Sequence, residues 1–124
     1  MKYLFIVYHS EKELKAMTEA EQQALTDKAL EYDETLRKGG HYLYSNALEF
    51  VDQATTVRVK KGKVVITDGP YVETREQVGG YLLIEAKDKQ EAIELASKLP
   101  PIHLGGIEVR AVRELTHSQD KRAQ

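Results

Sequence analysis

The sequence contains no cysteine, which excludes disulfide bonds, thiolate metal ligands and cysteine nucleophiles. Long apolar runs are absent too: residues 4–7 are far shorter than the roughly 20 residues of a membrane span and are also too short for a signal peptide. Eighteen basic against 20 acidic residues give a net charge of −2, so no global charge favours nucleic acid or anionic lipid. These absences predict a cytoplasmic protein with no membrane partner and no direct nucleic-acid partner.

The length and apolar patterning predict one globular domain. A chain of 124 residues is within the range of about 100–200 that single domains occupy, and it can bury roughly two-thirds of its unfolded surface. Residues 1–115 carry the regular apolar pattern. Residues 116–124 contain no apolar residue except Ala123, and we expect them to form a frayed C-terminal tail.

Hydrophobic periodicity predicts elements in the order β-α-β-β-β-β-α-β. Two S/T-x-x-E capping boxes, at Ser10 and Thr18, predict a short helical turn near 11–16 and a longer helix over about 19–38. Another capping box, at Asp88, predicts the start of the last helix. Strands are expected at about 2–8, 41–47, 54–60, 63–67, 81–86 and 107–112.

This order predicts an α+β fold, a ferredoxin-like βαββαβ unit with an additional β-hairpin over residues 54–67. Two helices cannot cover both faces of such a sheet, so the opposite face needs a partner or a ligand. The hairpin is basic, but it lacks the stacking aromatics of a nucleic-acid site and is more typical of a solvated edge. Gly79 and Gly80 stand where a charged loop enters a strand, so we expect at least one to need a backbone conformation that favours glycine.

The most informative segment is a glycine-bracketed loop that begins at Asp68 and carries Glu73, Arg75 and Glu76. Aspartate in a turn usually accepts a hydrogen bond from the N–H two residues later, but that residue is Pro70, which has none. The Asp68 carboxylate is therefore freer to contact a ligand. Two plainer interpretations stay open: Asp68 is an ordinary turn residue, and the other charges form a solvated cluster that contributes little energy.

This loop, D-G-P-Y-V-E-T-R-E, resembles the signature of the YCII-related family, in its branch named after a D-G-P-F-x-E-T-K-E motif. Tyr71 replaces the phenylalanine and Arg75 replaces the lysine. The likeness extends over residues 79–86 and 107–110, and Ala111 stands where the family has a proline. It implies a dimeric α/β barrel, in which two ferredoxin-like protomers pair sheet against sheet as a homodimer.

Two functions of different kinds stay open. The first is a protein that binds an unknown small molecule, or an enzyme acting on one, in a cleft between helix and sheet around Asp68. The alternative is a non-catalytic accessory protein linked to sigma-factor regulation of transcription, because some members of this branch are encoded beside sigma factors. Whether the protein is an enzyme stays open.

The catalytic candidates are Asp68 and His41. Shorter relatives are proposed to use a His–Asp pair, although this chain has no histidine at their helical position. His41, which follows two glycines, would be a suitable base beside Asp68, and an ordinary strand-end histidine is the alternative. The other histidines fall at a strand end (His9), in a loop (His103) and in the tail (His117).

The binding candidates are Tyr71, Glu73, Arg75 and Tyr44. A tyrosine such as Tyr44 combines apolar area with a polar tip, which suits a pocket or a dimer interface. The histidine spacings match no zinc site, and no phosphate-binding or dinucleotide-binding glycine motif is present. We therefore expect neither a metal nor a cofactor.

Overall fold

The computed structural model describes residues 1–118, which form an α+β structure with antiparallel sheets. The strands are β1 (Lys2–His9), β2 (Tyr42–Ala47), β3 (Thr55–Lys60), β4 (Lys63–Asp68), β5 (Gln77–Glu85) and β6 (Gly105–Ala111). The α-helices are α1 (Glu11–Ala16), α2 (Glu19–Lys38) and α3 (Lys89–Ser97), and short 3-10 turns cover Val51–Gln53 and Pro100–Leu104. Most of the predicted tail lies outside the described residues.

The main sheet has four strands in the order β2-β5-β1-β6, and β3 and β4 form a separate two-stranded sheet. Every pairing is antiparallel. The arrangement of the four-stranded sheet and helices is compatible with the expected ferredoxin-like fold. No helix within residues 1–118 is both long enough and apolar enough to cross a membrane.

The helix boundaries follow from local chemistry. The Ser10 hydroxyl accepts a hydrogen bond from the Glu13 N–H and starts α1. Thr18 and Glu21 form a reciprocal capping box that starts α2, which confirms the predicted signals. The chain leaves α2 through Gly40, whose φ of 79° lies in the left-handed region that glycine adopts at low cost.

The core lies between the helices and one face of the main sheet. Alternate residues of β1 and β5, such as Phe5 and Ile84, point into it and are fully buried. Leu36 of α2 and Ala92 of α3 cover them. The Tyr32 hydroxyl also donates a 2.6 Å hydrogen bond to the Leu95 carbonyl, joining α2 to α3.

The other side of the main sheet, here called the open face, has no helix on it. Its apolar members come from the intervening positions of the strands. By the pairing registers they are Leu4, Ile6, Tyr8, Tyr44, Val78, Tyr81 and Leu83.

Strand β2 departs from simple alternation, which would put Tyr42, Tyr44 and Asn46 on one face. A bulge at Leu43 shifts the register, because Tyr42 pairs with Ile84 whereas Tyr44 pairs with the adjacent Leu83. Tyr42 therefore packs against the core, while Tyr44 lies on the open face.

The expectation that Gly79 or Gly80 adopts a left-handed backbone is wrong. The described glycines with positive φ are Gly40, Gly62 and Gly69. Space, not backbone conformation, selects glycine at position 80, where an added Cβ would lie 2.9 Å from the Asn46 carbonyl oxygen.

Candidate functional site

The two predicted catalytic residues lie at opposite ends of the main sheet. His41 contacts Glu85, which pairs with Lys2 at the start of β1. Asp68 ends β4 near the other end of β1, where Tyr8 and Pro70 line one cavity. Since Lys2 and Tyr8 are six residues apart along β1, at about 3.4 Å per residue, roughly 20 Å separates these two ends. The structure therefore does not bring Asp68 and His41 together as an acid–base pair.

His41 has a structural contact of its own. Its Nδ1 donates a 2.8 Å hydrogen bond to the Glu85 carbonyl oxygen, and the Glu85 N–H donates a 2.8 Å bond to the His41 carbonyl oxygen. A Cβ added to Gly39 would lie 3.0 Å from the Cδ2 atom of the His41 ring. These contacts make His41 a residue that joins β2 to the end of β5.

The loop over residues 68–76, here called the signature loop, lies on the surface beside the open face. Asp68 is exposed, and the described residues provide no ion pair between it and Arg75. Gly69 has a φ of 121°, and its N–H donates to the Ala54 carbonyl at 2.8 Å, so the turn is held by its backbone. Tyr71 is 73% exposed, and the Arg58 guanidinium lies 4.4 Å from its ring centre.

Two cavities adjoin this loop. One of about 650 Å³ is lined by Pro70, Tyr71 and Val72 together with Tyr8 and Phe50. Another of about 700 Å³ is lined by charged residues that include Arg75, Glu76 and Glu13. Neither Asp68 nor Glu73 lines either of them, so the predicted binding residues Tyr71, Glu73 and Arg75 do not surround one common cavity.

A third cavity, of about 450 Å³, lies between α2 and the main sheet. We call it the helix–sheet cavity. Apolar side chains form much of its wall, among them Val7, Leu25, Ala29 and Leu99. Its polar lining residues include His9, Gln22, Thr26, Asp33 and Ser45. An apolar cavity with a few convergent polar groups is the arrangement typical of small-molecule sites.

His9 occupies the end of β1 and is half-buried. Among the described residues, no hydrogen bond uses either of its ring nitrogens, although Glu11 is close enough to exert an electrostatic effect. Burial lowers the pKa of His9 below its ordinary value of 6.5, and the Glu11 carboxylate opposes this effect only in part. The imidazole is therefore neutral at pH 7, with one nitrogen able to accept a hydrogen bond and the other able to donate one.

Asp33 of α2 lines the same cavity and is joined to two hydroxyl groups by hydrogen bonds. Ser45 Oγ donates to Asp33 Oδ2 at 3.3 Å and accepts from the Tyr42 hydroxyl at 2.7 Å. The Arg37 guanidinium lies 4.4 Å from the centre of the Tyr42 ring. Burial raises the pKa of Asp33 above its ordinary value, while the Ser45 hydrogen bond and the Arg37 charge act in the opposite direction.

These groups give the cavity a defined chemistry. A neutral imidazole can accept a proton or a hydrogen bond from a hydroxyl group. A carboxyl group whose pKa is raised is easier to protonate than an exposed one, so Asp33 can also donate at moderately low pH. The pair suits an uncharged ligand that carries a hydroxyl or carbonyl group.

Sequence reasoning did not select this pair. In the sequence, His9 is one of four histidines and no motif distinguishes it from the others. Asp33 is not among the residues that the motifs select. One signal was available. Leu25, Ala29, Tyr32 and Leu36 form an apolar stripe along α2. Asp33 falls on this stripe, four residues after Ala29, where a carboxylate is unusual. The sequence could not show that Asp33 lines the same cavity as His9, because this depends on how α2 packs on the sheet.

Tyr44 lies outside the helix–sheet cavity. It is 57% exposed on the open face, with its ring centre 6.4 Å from that of Tyr81. The Tyr81 hydroxyl in turn accepts a 3.0 Å hydrogen bond from the Asn46 amide. Most of the Tyr44 side chain is therefore accessible to solvent on the open face.

The fold and cavity define a class: an α+β protein whose antiparallel sheet carries helices on one face and a cavity beneath the longest helix. Comparison with known proteins identifies the family. The model of the YCII-related domain matches residues 1–116, and the chain belongs to that family.

One similar curated protein is an uncharacterized protein of Rhizobium meliloti (strain 1021). The two chains are 37% identical over 59 residues, which cover 46% of this chain and 48% of the relative. The aligned region thus spans about half the length of the curated relative.

Proposed function

We propose that the protein binds a small, uncharged, mainly apolar organic molecule in the helix–sheet cavity. The observation that carries this proposal is the His9 imidazole, which lines the cavity and uses neither ring nitrogen in a hydrogen bond with the described residues. A half-buried polar group of this kind gains a partner when a ligand hydroxyl or carbonyl enters the cavity.

The lining also predicts selectivity. The apolar wall favours a ring or a short aliphatic chain, which is removed from water on binding. The Asp33 carboxylate disfavours an anion, because two like charges in a partly buried cavity repel each other. A hydroxyl compound can donate to His9, and a carbonyl compound can accept from the nitrogen that carries the proton.

Chemical-shift titration of the isotope-labelled protein tests the proposal, with phenol and cyclohexanone as neutral probes and benzoate as the charged comparison. At pH 7 we expect both neutral probes to shift the backbone signals of His9, Ser45 and Gly79. Benzoate is expected to bind at least tenfold more weakly than phenol. His9→Ala is expected to weaken phenol binding, whereas Asp68→Asn leaves it unchanged.

The matched variants separate the two candidate locations. If Asp68→Asn weakens phenol binding and His9→Ala does not, the site lies around Asp68, as the sequence predicted, and the helix–sheet cavity is not the binding site. Absence of shifts at millimolar concentrations of either neutral probe would reject this ligand class.

The resemblance supports two finer statements within this proposal. We propose that the chain belongs to the D-G-P-F branch of its family, which the sequence of the 68–76 loop supports, and that the open face pairs two copies into a dimeric α/β barrel. The uncovered apolar side chains of that face, such as Leu4, Ile6 and Leu83, support the pairing because a second copy would remove them from water. Sedimentation velocity checks the dimer, and a stable monomer at micromolar concentration would contradict it.

A further inference from the structure

The two-stranded sheet of β3 and β4, here called the hairpin arm, exposes a continuous apolar face. Val57 pairs with Ile66 and Val59 pairs with Val64, so these four side chains lie on one face of the arm. They are 61%, 68%, 68% and 65% exposed in the order just given. A cluster of four exposed β-branched residues is a candidate interaction surface, unlike apolar residues scattered singly.

The opposite face of the arm contacts the loop that follows β4. Thr56 is buried and donates a 2.9 Å hydrogen bond to the Gly69 carbonyl, and Arg58 packs on Tyr71. Neither arm strand joins the main sheet. Because an isolated two-stranded hairpin is only marginally stable in water, burial of its apolar face would add stability that its own contacts do not supply.

The charges of the chain indicate what covers this face. The arm, residues 55–68, carries four basic residues (Arg58, Lys60, Lys61 and Lys63) and one acidic residue, Asp68 at its end, so its charge is +3. The rest of the chain has 14 basic against 19 acidic residues and so carries a charge of −5. The body of a second copy therefore attracts the arm.

The same chain also carries an apolar surface that could receive the arm. The root of the arm is continuous with the open face, because the cavity lined by Pro70 and Tyr71 is also lined by Tyr8 and Val78 of the main sheet. In a two-fold dimer each arm can meet the open face of the other copy, so the contact forms twice.

We propose that the apolar face of the hairpin arm packs against the open face of a second copy, so that two exchanged arms stabilise the homodimer. This packing would bury the exposed Val and Ile side chains of the arm, which pairing of the main sheets alone would leave in contact with water. This inference extends the dimer of the proposed function but does not depend on the helix–sheet cavity, so either can fail alone.

Sedimentation velocity of the full chain gives the first test. Replacing Val57, Val59, Val64 and Ile66 together by threonine keeps β-branched shape and strand propensity while removing apolar surface. We expect this variant to raise the dimer Kd at least tenfold. Ile93→Gln on α3 removes another exposed apolar side chain and is the control, which should leave the Kd unchanged.

A spin-label experiment identifies the occupant and avoids any folding effect of four substitutions. Since the chain has no cysteine, Val59→Cys introduces a single labelling position. The nitroxide-labelled chain is mixed with isotope-labelled chain that carries no nitroxide, so any signal broadening comes from the other copy. We expect broadening at Leu4, Ile6 and Leu83, and none there when the label is at Ile93→Cys.

Three results would overturn the proposal. The wild-type chain could be a monomer throughout the micromolar range. The threonine variant could dimerise with the wild-type Kd, which would leave main-sheet pairing intact but remove the arm from it. Finally, broadening could fall on the helices instead of the open face.

Discussion

The imidazole of His9 occupies the space that a side chain at position 79 would need. A Cβ added to Gly79 would lie 2.2, 2.4 and 2.6 Å from three atoms of the His9 ring. These distances are far inside van der Waals contact, and the glycine thereby lets the imidazole lie close to β5. The side wall of the helix–sheet cavity depends on this close approach.

Gly79→Ala is expected to lower the free energy of unfolding by about 1 kcal/mol, because the His9 ring must move away from the added Cβ. The matched control is Gly106→Ala, because a Cβ there meets no atom within 4 Å and its φ is not positive. Urea unfolding measures both. The cost of Gly79→Ala should shrink when His9→Ala is also present, and an unchanged cost would show that the imidazole is not the obstacle.

The lowered pKa of His9 makes stability depend on pH. Between the lowered folded pKa and the unfolded value of about 6.5, the unfolded chain binds a proton that the folded chain does not. Stability is therefore complete above pH 6.5 and decreases as the pH falls through the folded pKa. The side chain of His9→Gln cannot titrate. The unfolding free energy of this variant, relative to that of the wild type, should therefore increase as pH falls from 7.5 to about 5. A constant difference would contradict the burial effect.

Asp33 has the opposite dependence, because its pKa is raised. The folded chain keeps a proton on Asp33 at pH values where the unfolded chain has already lost it, above about 3.8. The stability associated with the protonated form is therefore lost as pH rises through the folded pKa. Asp33→Asn keeps an acceptor for Ser45 and cannot ionise, so its stability relative to wild type should rise over this window in urea unfolding. A relative stability that falls would reject the raised pKa.

Tyr32→Phe is expected to cost about 0.5–1.5 kcal/mol of unfolding free energy, because it removes the 2.6 Å hydrogen bond between α2 and the Leu95 carbonyl. Tyr44→Phe provides the control, since the Tyr44 side chain is 57% exposed and its hydroxyl has no hydrogen bond with a described residue. Thermal or urea unfolding compares the two. Equal costs would show that the α2–α3 bond contributes nothing specific.

Local chemistry made the elements predictable. The Thr18–Glu21 capping box starts α2, and the predicted helix over 19–38 has the observed bounds. Each signal acts between residues three or four apart in the chain and needs no tertiary contact. The buried alternation of β1 is equally local, since every second residue of a strand faces the same side.

The candidate site was not predictable in the same way. Asp68 and His41 are 27 positions apart in sequence, and only the sheet register shows that they lie at opposite ends of the fold. The bulge at Leu43 likewise puts Tyr42 and Tyr44 on opposite faces, although simple alternation predicts one common face. A one-residue shift reverses every later side chain of a strand, and alternation in the sequence does not show where such a shift occurs.

The sequence by itself determined the type and order of the elements and the uncovered sheet face, because apolar periodicity and capping act over a few residues. It did not determine every boundary, since β5 begins at Gln77, four residues before the predicted strand. Tertiary structure alone decided which polar groups meet. His9 and Asp33 are 24 positions apart and come from a strand and a helix, and they line one cavity because the contacts of α2 with β2 and with the Pro100–Leu104 turn place the helix over the sheet. Such a meeting depends on long-range packing geometry, which no spacing of residues along the chain records.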